Sequence, residues 1–317
     1  MLRKIGSFVG MLLLAALPAA AQKVGVVMSG GGAKGLYHIG VLEALEENGV
    51  PIDYVAGTSM GSIIAAMYAA GYSPAEMRAI VKSGVVKEWV SGRIDPNKYM
   101  AYYRQVGSNP AFLSLRIDVE SPSGKRLRVP RNLISSTQID MALTELFAPA
   151  TAAADGDFDR LMVPFLCVAS DLNHRGPVVL REGDLSEAVR SSMSIPLVFK
   201  PMVKDSMLLY DGGIYDNFPW KPLDETFRPD YLIGSKCTSG NTEPNAKSIM
   251  DQVWMLTMEK TDYDMPAGRS TLIERAVDVS MLDFSQADAI IQSGYDDTMA
   301  LMDLSLIHIS EPTRHAQ

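Results

Sequence analysis

The sequence predicts an α/β fold in which a parallel sheet carries helices on its faces. Residues 23–29 (KVGVVMS) form a β-branched run without polar alternation, which is typical of a strand buried on both sides. A glycine cluster follows, and apolar residues then recur at helical spacing until Asn48 and Gly49. Residues 52–59 and 60–72 repeat this order of strand and helix. Two consecutive strand–helix units indicate neighbouring parallel strands.

The rest of the chain adds further elements to this core. Residues 73–76 (SPAE) form a capping box with proline at the first helical position, which predicts the start of a helix. Residues 111–130 alternate on both sides of a Ser-Pro-Ser-Gly turn, which predicts a hairpin insertion. Its basic residues face either anionic lipid or solvent along a charged edge strand. Further strands are predicted in VPFLCVASDL, MLLYDGG and YLIGSKC, and further helices at residues 137–148, 184–193 and 246–260.

Both ends of the chain carry segments that do not belong to the predicted fold. Arg3 and Lys4 precede a short apolar run that ends in three alanines, which is the pattern of a cleavable secretory signal. An uncleaved anchor is the alternative, but the run is shorter than the ~20 residues of a spanning helix. We therefore predict a signal peptide over residues 1–21, one domain over residues 22–303, and a non-native, adapter-like tail over residues 304–317. The mature protein is expected in the periplasm, at the outer membrane or outside the cell.

The composition limits the partners that the protein can have. The formal net charge is −8, and removal of the basic leader makes it more negative, which argues against nucleic acid as a partner. After the leader, no stretch is long and apolar enough to span a bilayer. Cys167 and Cys237 lie in apolar, strand-like runs, where we expect buried free thiols, with a disulfide as the alternative.

The glycine cluster at residues 29–35 (SGGGAKG) suggests an anion-binding loop. Gly30, Gly32 and Gly35 satisfy the Gly-x-Gly-x-x-Gly pattern of a dinucleotide site, which also needs an acidic residue at the end of the second strand. Here the nearest acid, Asp53, precedes that strand. A P-loop is excluded because no lysine follows Gly35. The remaining use of such a loop is to present backbone N–H groups to negative charge.

Residues 54–64 (YVAGTSMGSII) place Ser59 between Gly57 and Gly61, with a predicted strand before it and a predicted helix after it. This is the pattern of a nucleophile elbow, in which the serine occupies a strained turn and the glycines avoid collisions with the strand and the helix. The glycine loop and the elbow would then meet where an oxyanion forms. The sequence therefore predicts Ser59 as a nucleophile.

A nucleophilic serine needs a proton acceptor, and the chain has four histidines. His38 lies in the first predicted helix and His174 in a polar loop, whereas His308 and His315 lie in the excluded tail. Neither His38 nor His174 has the chain order of the α/β-hydrolases, in which the histidine comes last. A carboxylate is therefore the better candidate.

Asp211 directly follows a strand-like run, and Gly212 and Gly213 allow the backbone to turn there. An exposed aspartate has a pKa near 3.9 and is a weak base, but partial desolvation beside a serine hydroxyl raises that value. An ordinary Asp-Gly turn is the structural alternative. We predict Asp211 as the general base.

Three motifs in this order, GGGAKG at residues 30–35, GTSMG at residues 57–61 and DGG at residues 211–213, resemble those of the patatin-like phospholipases. The block AVRSSMSIPLVFKP and the segment DGGIYDNFP around Asn217 resemble further parts of that family. The resemblance covers residues 22–303. It implies a three-layer α/β/α fold with a mostly parallel sheet, and hydrolysis of acyl esters without a metal or another cofactor.

The resemblance also implies a role for each motif. Ser59 and Asp211 would form a Ser-Asp dyad, and backbone N–H groups of the loop would form the oxyanion hole, with Lys34 helping to fix that loop. One departure is Ser29, which stands where plant members often carry aspartate. The residues implied in the oxyanion hole are Gly30, Gly31 and Gly32, and those that complete the motifs are Gly35, Gly57, Gly61, Gly212 and Gly213.

A lipid or phospholipid ester is the substrate that the resemblance implies, and a membrane surface is the expected partner. Met193, Ile195, Leu197 and Phe199 are candidates to line an acyl groove, with burial in the core as the alternative. The leader also resembles that of family members in which an outer-membrane β-barrel follows in the same chain. Two rival functions are a histidine-dependent esterase that uses His174, and a catalytically silent binding or plug domain.

Overall fold

The computed structural model describes residues 22–92, 116–118, 126–128, 134–239 and 259–302. The predicted leader and tail lie outside these residues, as do His308, His315 and nearly all of the helix predicted at residues 246–260. Those assignments stay predictions.

Ten strands occur in the described residues, and most of them coincide with the apolar runs of the sequence. Two of them, β3 and β4, form the separate antiparallel hairpin that the sequence predicts. The strands are β1 (Val24–Met28), β2 (Tyr54–Thr58), β3 (Arg116–Asp118), β4 (Arg126–Arg128), β5 (Phe165–Asp171), β6 (Gly176–Leu180), β7 (Met202–Lys204), β8 (Met207–Asp211), β9 (Tyr231–Lys236) and β10 (Ser270–Glu274).

Eight α-helices occur in the described residues. The capping box is confirmed, because the Ser73 hydroxyl accepts from Glu76 N at 3.3 Å while the Glu76 carboxylate accepts from Ser73 N at 2.9 Å. The helix predicted at residues 137–148 continues through Pro149, which removes one backbone donor without ending it. The helices are α1 (Tyr37–Glu47), α2 (Met60–Ala69), α3 (Pro74–Lys82), α4 (Val85–Ser91), α5 (Thr137–Ala154), α6 (Leu185–Ser192), α7 (Trp220–Phe227) and α8 (Ala287–Leu301).

The main sheet has a parallel part and an antiparallel part. The strands β10, β9, β1, β2 and β5 are neighbours in that order, and each pair is parallel. The strands β6 and β8 both run antiparallel to β5, and β7 runs antiparallel to β8. The mostly parallel sheet that the sequence predicts is thus present, with antiparallel strands added at one side.

One strand, β5, brings two others end to end. Its residues 167–168 pair with both β2 and β6, and its residues 169–171 pair with both β6 and β8. Because a strand has only two edges, β2 and β8 must share one edge of β5. Thr58 lies opposite Val168, and Asp211 lies opposite Ala169. The last residues of β2 and β8 therefore meet head to head.

Helices cover both faces of the sheet and make three layers. On one face, Val24, Val26 and Met28 of β1 join a large apolar cluster with α1, α2, α5 and α6. On the other face, Val27 joins a smaller cluster that contains Leu223 of α7. This alternation is what a strand buried on both sides requires. The three-layer α/β/α fold is confirmed.

Two further expectations concern the cysteines and the membrane. Cys167 and Cys237 are both buried and unbridged, as the favoured alternative predicted. Among the described residues, no helix combines the length and the apolar character needed to cross a bilayer.

Candidate active site

Ser59 occupies a strained elbow between β2 and α2. Its backbone has φ 55° and ψ −123°, a conformation that non-glycine residues rarely adopt. A Cβ on Gly57 would lie 2.3 Å from the Gly61 carbonyl oxygen, and a Cβ on Gly61 would lie 2.4 Å from the Met28 carbonyl oxygen. Both glycines are therefore required by the close approach of backbone to backbone. Ser59 itself is 4% exposed.

The elbow is held by hydroxyl groups from two neighbouring helices. Ser59 N donates to the Ser192 hydroxyl at 3.1 Å, and that hydroxyl donates to the Val168 carbonyl oxygen at 2.6 Å. The Ser62 hydroxyl donates to the Ser59 carbonyl oxygen at 2.6 Å. This role of Ser192 was not predicted from the sequence, although the residue lies in the block AVRSSMSIPLVFKP that resembles the family. These contacts over-determine the strained turn.

Asp211 contacts the hydroxyl of Ser59 directly. The Ser59 Oγ donates to Asp211 Oδ2 at 2.6 Å, while Asp211 Oδ1 accepts from Gly213 N at 2.9 Å. The backbone N–H of Asp211 donates to the Ser194 carbonyl oxygen at 2.9 Å. Both carboxylate oxygens are thus aimed, one at the serine and one at the turn that follows the strand.

The Asp211 side chain is fully buried, and this burial changes its acidity. Desolvation raises its pKa to about 7, although the hydrogen bonds from Ser59 and Gly213 N–H act in the opposite direction. Gly212 permits the burial, because a Cβ there would lie 2.2 Å from the Val168 carbonyl oxygen. The group is therefore a far stronger base when ionised than an exposed aspartate would be.

The glycine loop lies beside the elbow, and neighbouring residues pack closely against its glycines. A Cβ on Gly30 would lie 3.0 Å from Ser59 Cβ, and one on Gly31 would lie 2.7 Å from Cys237 Sγ. A Cβ on Gly35 would lie 2.5 Å from Met60 Cγ. The glycines thus allow close packing of the loop against the elbow.

The structure differs from the prediction for one of the three loop amides that were expected to bind an oxyanion. Gly30 N donates to the Asn217 carbonyl oxygen at 3.2 Å, so this N–H is already engaged. In the described part of the chain, the N–H groups of Gly31 and Gly32 have no acceptor. The Lys34 side chain has no hydrogen bond or ion pair within the described residues either. Within the loop, the amides without an acceptor among the described residues are therefore the candidate oxyanion donors.

A further donor follows from the elbow itself. Met60 is the first residue of α2, so its N–H is among the first-turn amides that have no partner within the helix. In nucleophile elbows, the amide after the serine forms half of the oxyanion hole. Met60 was not predicted from the sequence, although the Gly-x-Ser-x-Gly pattern could have identified it.

Neither described histidine contacts Ser59. The His174 ring is hydrogen-bonded to Asp171 and its side chain is 65% exposed. His38 is completely buried, and its two ring nitrogens are hydrogen-bonded to the Ser235 hydroxyl and to the Ser29 carbonyl oxygen. Among the described residues, the hydroxyl of Ser59 has Asp211 as its acceptor.

The residues predicted to line an acyl groove are distributed differently in the structure. Ile195 and Phe199 are buried in the core, and Leu197 is 53% exposed. Met193 lines a cavity of about 50 Å³ whose lining side chains are all apolar. The other lining residues are Leu36, Ile39, Met60, Ile63, Ile64, Met67, Met77, Ile80, Val81, Val86, Trp89, Val90, Ile139 and Leu143.

The chain is similar in sequence to a known family and to several curated proteins. A sequence model of the family described as patatin-like phospholipase matches residues 26–224. The chain is 30% identical over 226 residues to the lysophospholipase NTE1 of Cryptococcus neoformans, which covers 70% of this chain and 12% of that protein. It is 27% identical over 259 residues to an uncharacterized NTE family protein of Mycobacterium tuberculosis. This match covers 80% of this chain and 61% of that protein.

A solved structure, VipD from Legionella pneumophila, superimposes with a TM-score of 0.46 at 16% identity, covering 90% of this chain and 67% of that one. The chain spans 12% of the length of the fungal relative.

The burial of Asp211 predicts a pH-dependent gain in stability for Asp211→Asn. The folded pKa of about 7 lies above the unfolded value near 3.9, so the folded state binds the proton more tightly between them. Wild-type stability should therefore fall as pH rises through that window. Asparagine cannot ionise, so the variant should gain on the order of a few kcal/mol above pH ~7 and nothing near pH ~4.

Denaturant unfolding at a series of pH values measures this difference. The matched control is Asp155→Asn, whose parent side chain is 90% exposed and which should show no such gain. An Asp211→Asn difference that stays constant with pH would contradict the shifted pKa.

Proposed function

The chain belongs to the patatin-like phospholipase family, and on that premise we propose that it is a serine hydrolase of lipid carboxylic esters. Ser59 is the nucleophile and Asp211 is the general base. The observation that carries this proposal is the hydrogen bond of 2.6 Å between the strained serine and the buried aspartate.

In the acylation step, Ser59 Oγ attacks the ester carbonyl carbon while its proton moves to Asp211 Oδ2. The carbonyl oxygen becomes an oxyanion, which the N–H groups of Gly31, Gly32 and Met60 stabilise. When the tetrahedral intermediate collapses, the C–O bond to the alcohol breaks. The alcohol leaves with the proton from Asp211, and the acyl group remains on Ser59.

In the deacylation step, water attacks the acyl carbon and gives a proton to Asp211. The second tetrahedral intermediate collapses, and Ser59 Oγ takes that proton back as the fatty acid leaves. The same carboxylate thus acts once as a base and once as an acid in each half of the cycle. A pKa of about 7 suits this double use, because neither proton transfer is strongly uphill near neutral pH.

The apolar cavity supports a lipid as the substrate. Met60 directly follows the nucleophile, and Met193 directly follows Ser192, which binds Ser59 N. We propose that the acyl chain enters the cavity past these two methionines. At about 50 Å³ it is about a third of the size of the engineered apolar cavity of ~150 Å³ that binds benzene in another protein. The resting cavity therefore accepts a short acyl segment, and longer chains require its flexible methionines to repack.

The proposal predicts that Ser59→Ala and Asp211→Asn each lower the hydrolysis of phospholipid and of simple esters by roughly 10³-fold or more. His174→Gln should retain activity, because that ring lies on Asp171 and does not contact Ser59. Hydrolysis of both substrate classes by the purified variants, measured side by side, tests this.

A fluorophosphonate probe gives a second measurement that does not depend on the substrate chosen. Wild type should be labelled and Ser59→Ala should not. Ser191→Ala is the matched control, since that serine is 3% exposed and its hydroxyl bonds its own helix at the Glu187 carbonyl oxygen. Failure of wild type to label would favour the catalytically silent binding domain, and loss of activity in His174→Gln would favour the histidine-dependent esterase.

The cavity predicts that Met67→Ala shifts the acyl-chain preference towards longer chains. Met67 is buried, lines the cavity and lies two turns of helix beyond Ser59, so its truncation adds space without touching the catalytic atoms. The ratio of kcat/KM for a longer over a shorter ester should rise by about fourfold per added methylene accommodated.

A series of p-nitrophenyl esters of increasing chain length measures this ratio, which does not depend on the fraction of folded enzyme. Met162→Ala is the control, because Met162 is 81% exposed. If Met67→Ala left the relative rates along the series unchanged, the chain would have to bind elsewhere.

A further inference from the structure

His38 is a buried group that the proposed reaction does not use. It lies in the first turn of α1 and is 0% exposed. Its Nδ1 lies 2.6 Å from the Ser235 hydroxyl, and its Nε2 lies 2.9 Å from the Ser29 carbonyl oxygen. Burial of a ring that must form two hydrogen bonds at fixed positions indicates that it has a specific structural task.

The partners of His38 determine its tautomer. A carbonyl oxygen can only accept, so Nε2 carries the hydrogen and donates to Ser29. Burial lowers the pKa of His38 to about 4, so the ring is neutral at physiological pH. Its Nδ1 is therefore an acceptor, and the Ser235 hydroxyl donates to it. The ring thus connects the loop after β1 to the end of β9.

The Ser29 peptide group that His38 binds lies at the base of the glycine loop. Ser29 N donates to the Ser235 carbonyl oxygen at 3.0 Å, and the Ser29 hydroxyl accepts from Cys237 N at 3.2 Å. The Ser29 carbonyl oxygen also lies 2.6 Å from where a Cβ on Gly61 would be. It is therefore enclosed between the His38 ring and the elbow helix.

We propose that His38 is a positioning residue for the oxyanion hole. By fixing the Ser29 carbonyl, it sets the orientation of the peptide that leads into Gly30, and hence the direction of the Gly31 and Gly32 N–H groups towards Ser59. This role rests on the proposed function.

The consequence is an effect on the transition state more than on substrate binding. Removal of one oxyanion donor lowers kcat by about 10²–10³-fold, and misdirection of a donor should cause part of that decrease. His38→Leu, which cannot donate to Ser29, should lower kcat by about tenfold or more and change KM less than threefold. His38→Gln, whose side-chain amide can donate to the same carbonyl, should recover much of the loss.

The decisive readout compares two inhibitors of the same chain length. A trifluoromethyl ketone adds to Ser59 and forms an oxyanion, whereas the fatty acid product binds without forming one. His38→Leu should weaken the binding of the ketone by about tenfold more than it weakens the binding of the fatty acid. Ser235→Ala keeps the ring but removes the donor to Nδ1, and should change the same ratio in the same direction by a smaller factor.

The outcomes separate this proposal from the proposed function. If wild type hydrolyses esters while His38→Leu and Ser235→Ala keep full kcat, the positioning role is wrong and the Ser-Asp dyad stands. An equal loss of affinity for the ketone and for the fatty acid would also overturn the positioning role, since it would indicate general damage to the site. If wild type has no activity and does not label with a fluorophosphonate, the proposed function fails, and the positioning role fails with it.

Discussion

The chemistry proposed for this protein depends on the hydrogen bond between Ser59 and Asp211. This hydrogen bond requires a carboxylate that is buried away from water, and the desolvation raises the pKa of Asp211 to about 7. The same burial makes the ionised form costly for the folded state. The site therefore combines a useful base with a local loss of stability, which the surrounding sheet and helices must offset.

The sheet creates this contact through its pairing along β5. Because β2 and β8 share one edge of that strand, the residues opposite Val168 and Ala169 come from two chain segments that point at each other. Ser59 leaves one end and Asp211 forms the other. The antiparallel direction of β8 therefore brings Asp211 to Ser59, since a parallel β8 would present its amino end there.

Much of the site could be predicted from the sequence because its signals are local. The glycines at 57 and 61, the strand before Ser59 and the helix after it lie within a few residues of each other, and the same holds for the capping box at Ser73. The direction of β8 could not be predicted, because a short buried strand has the same composition in either direction. The roles of Ser192 and Asn217 depend on contacts between residues more than 130 positions apart. The apolar cavity is built from helices distant in sequence, which explains why only Met193 of the four candidates lines it.

The acid limb of the pH dependence of kcat/KM reports directly on whether Asp211 is the base. If ionised Asp211 takes the proton of Ser59, activity is lost as pH falls below the pKa of that carboxyl. We expect a single ionisation with a midpoint near 7, and we expect it to be retained in His174→Gln. A midpoint near the ordinary aspartate value of about 4 would contradict the buried base, and so would a limb that disappears when His174 is replaced.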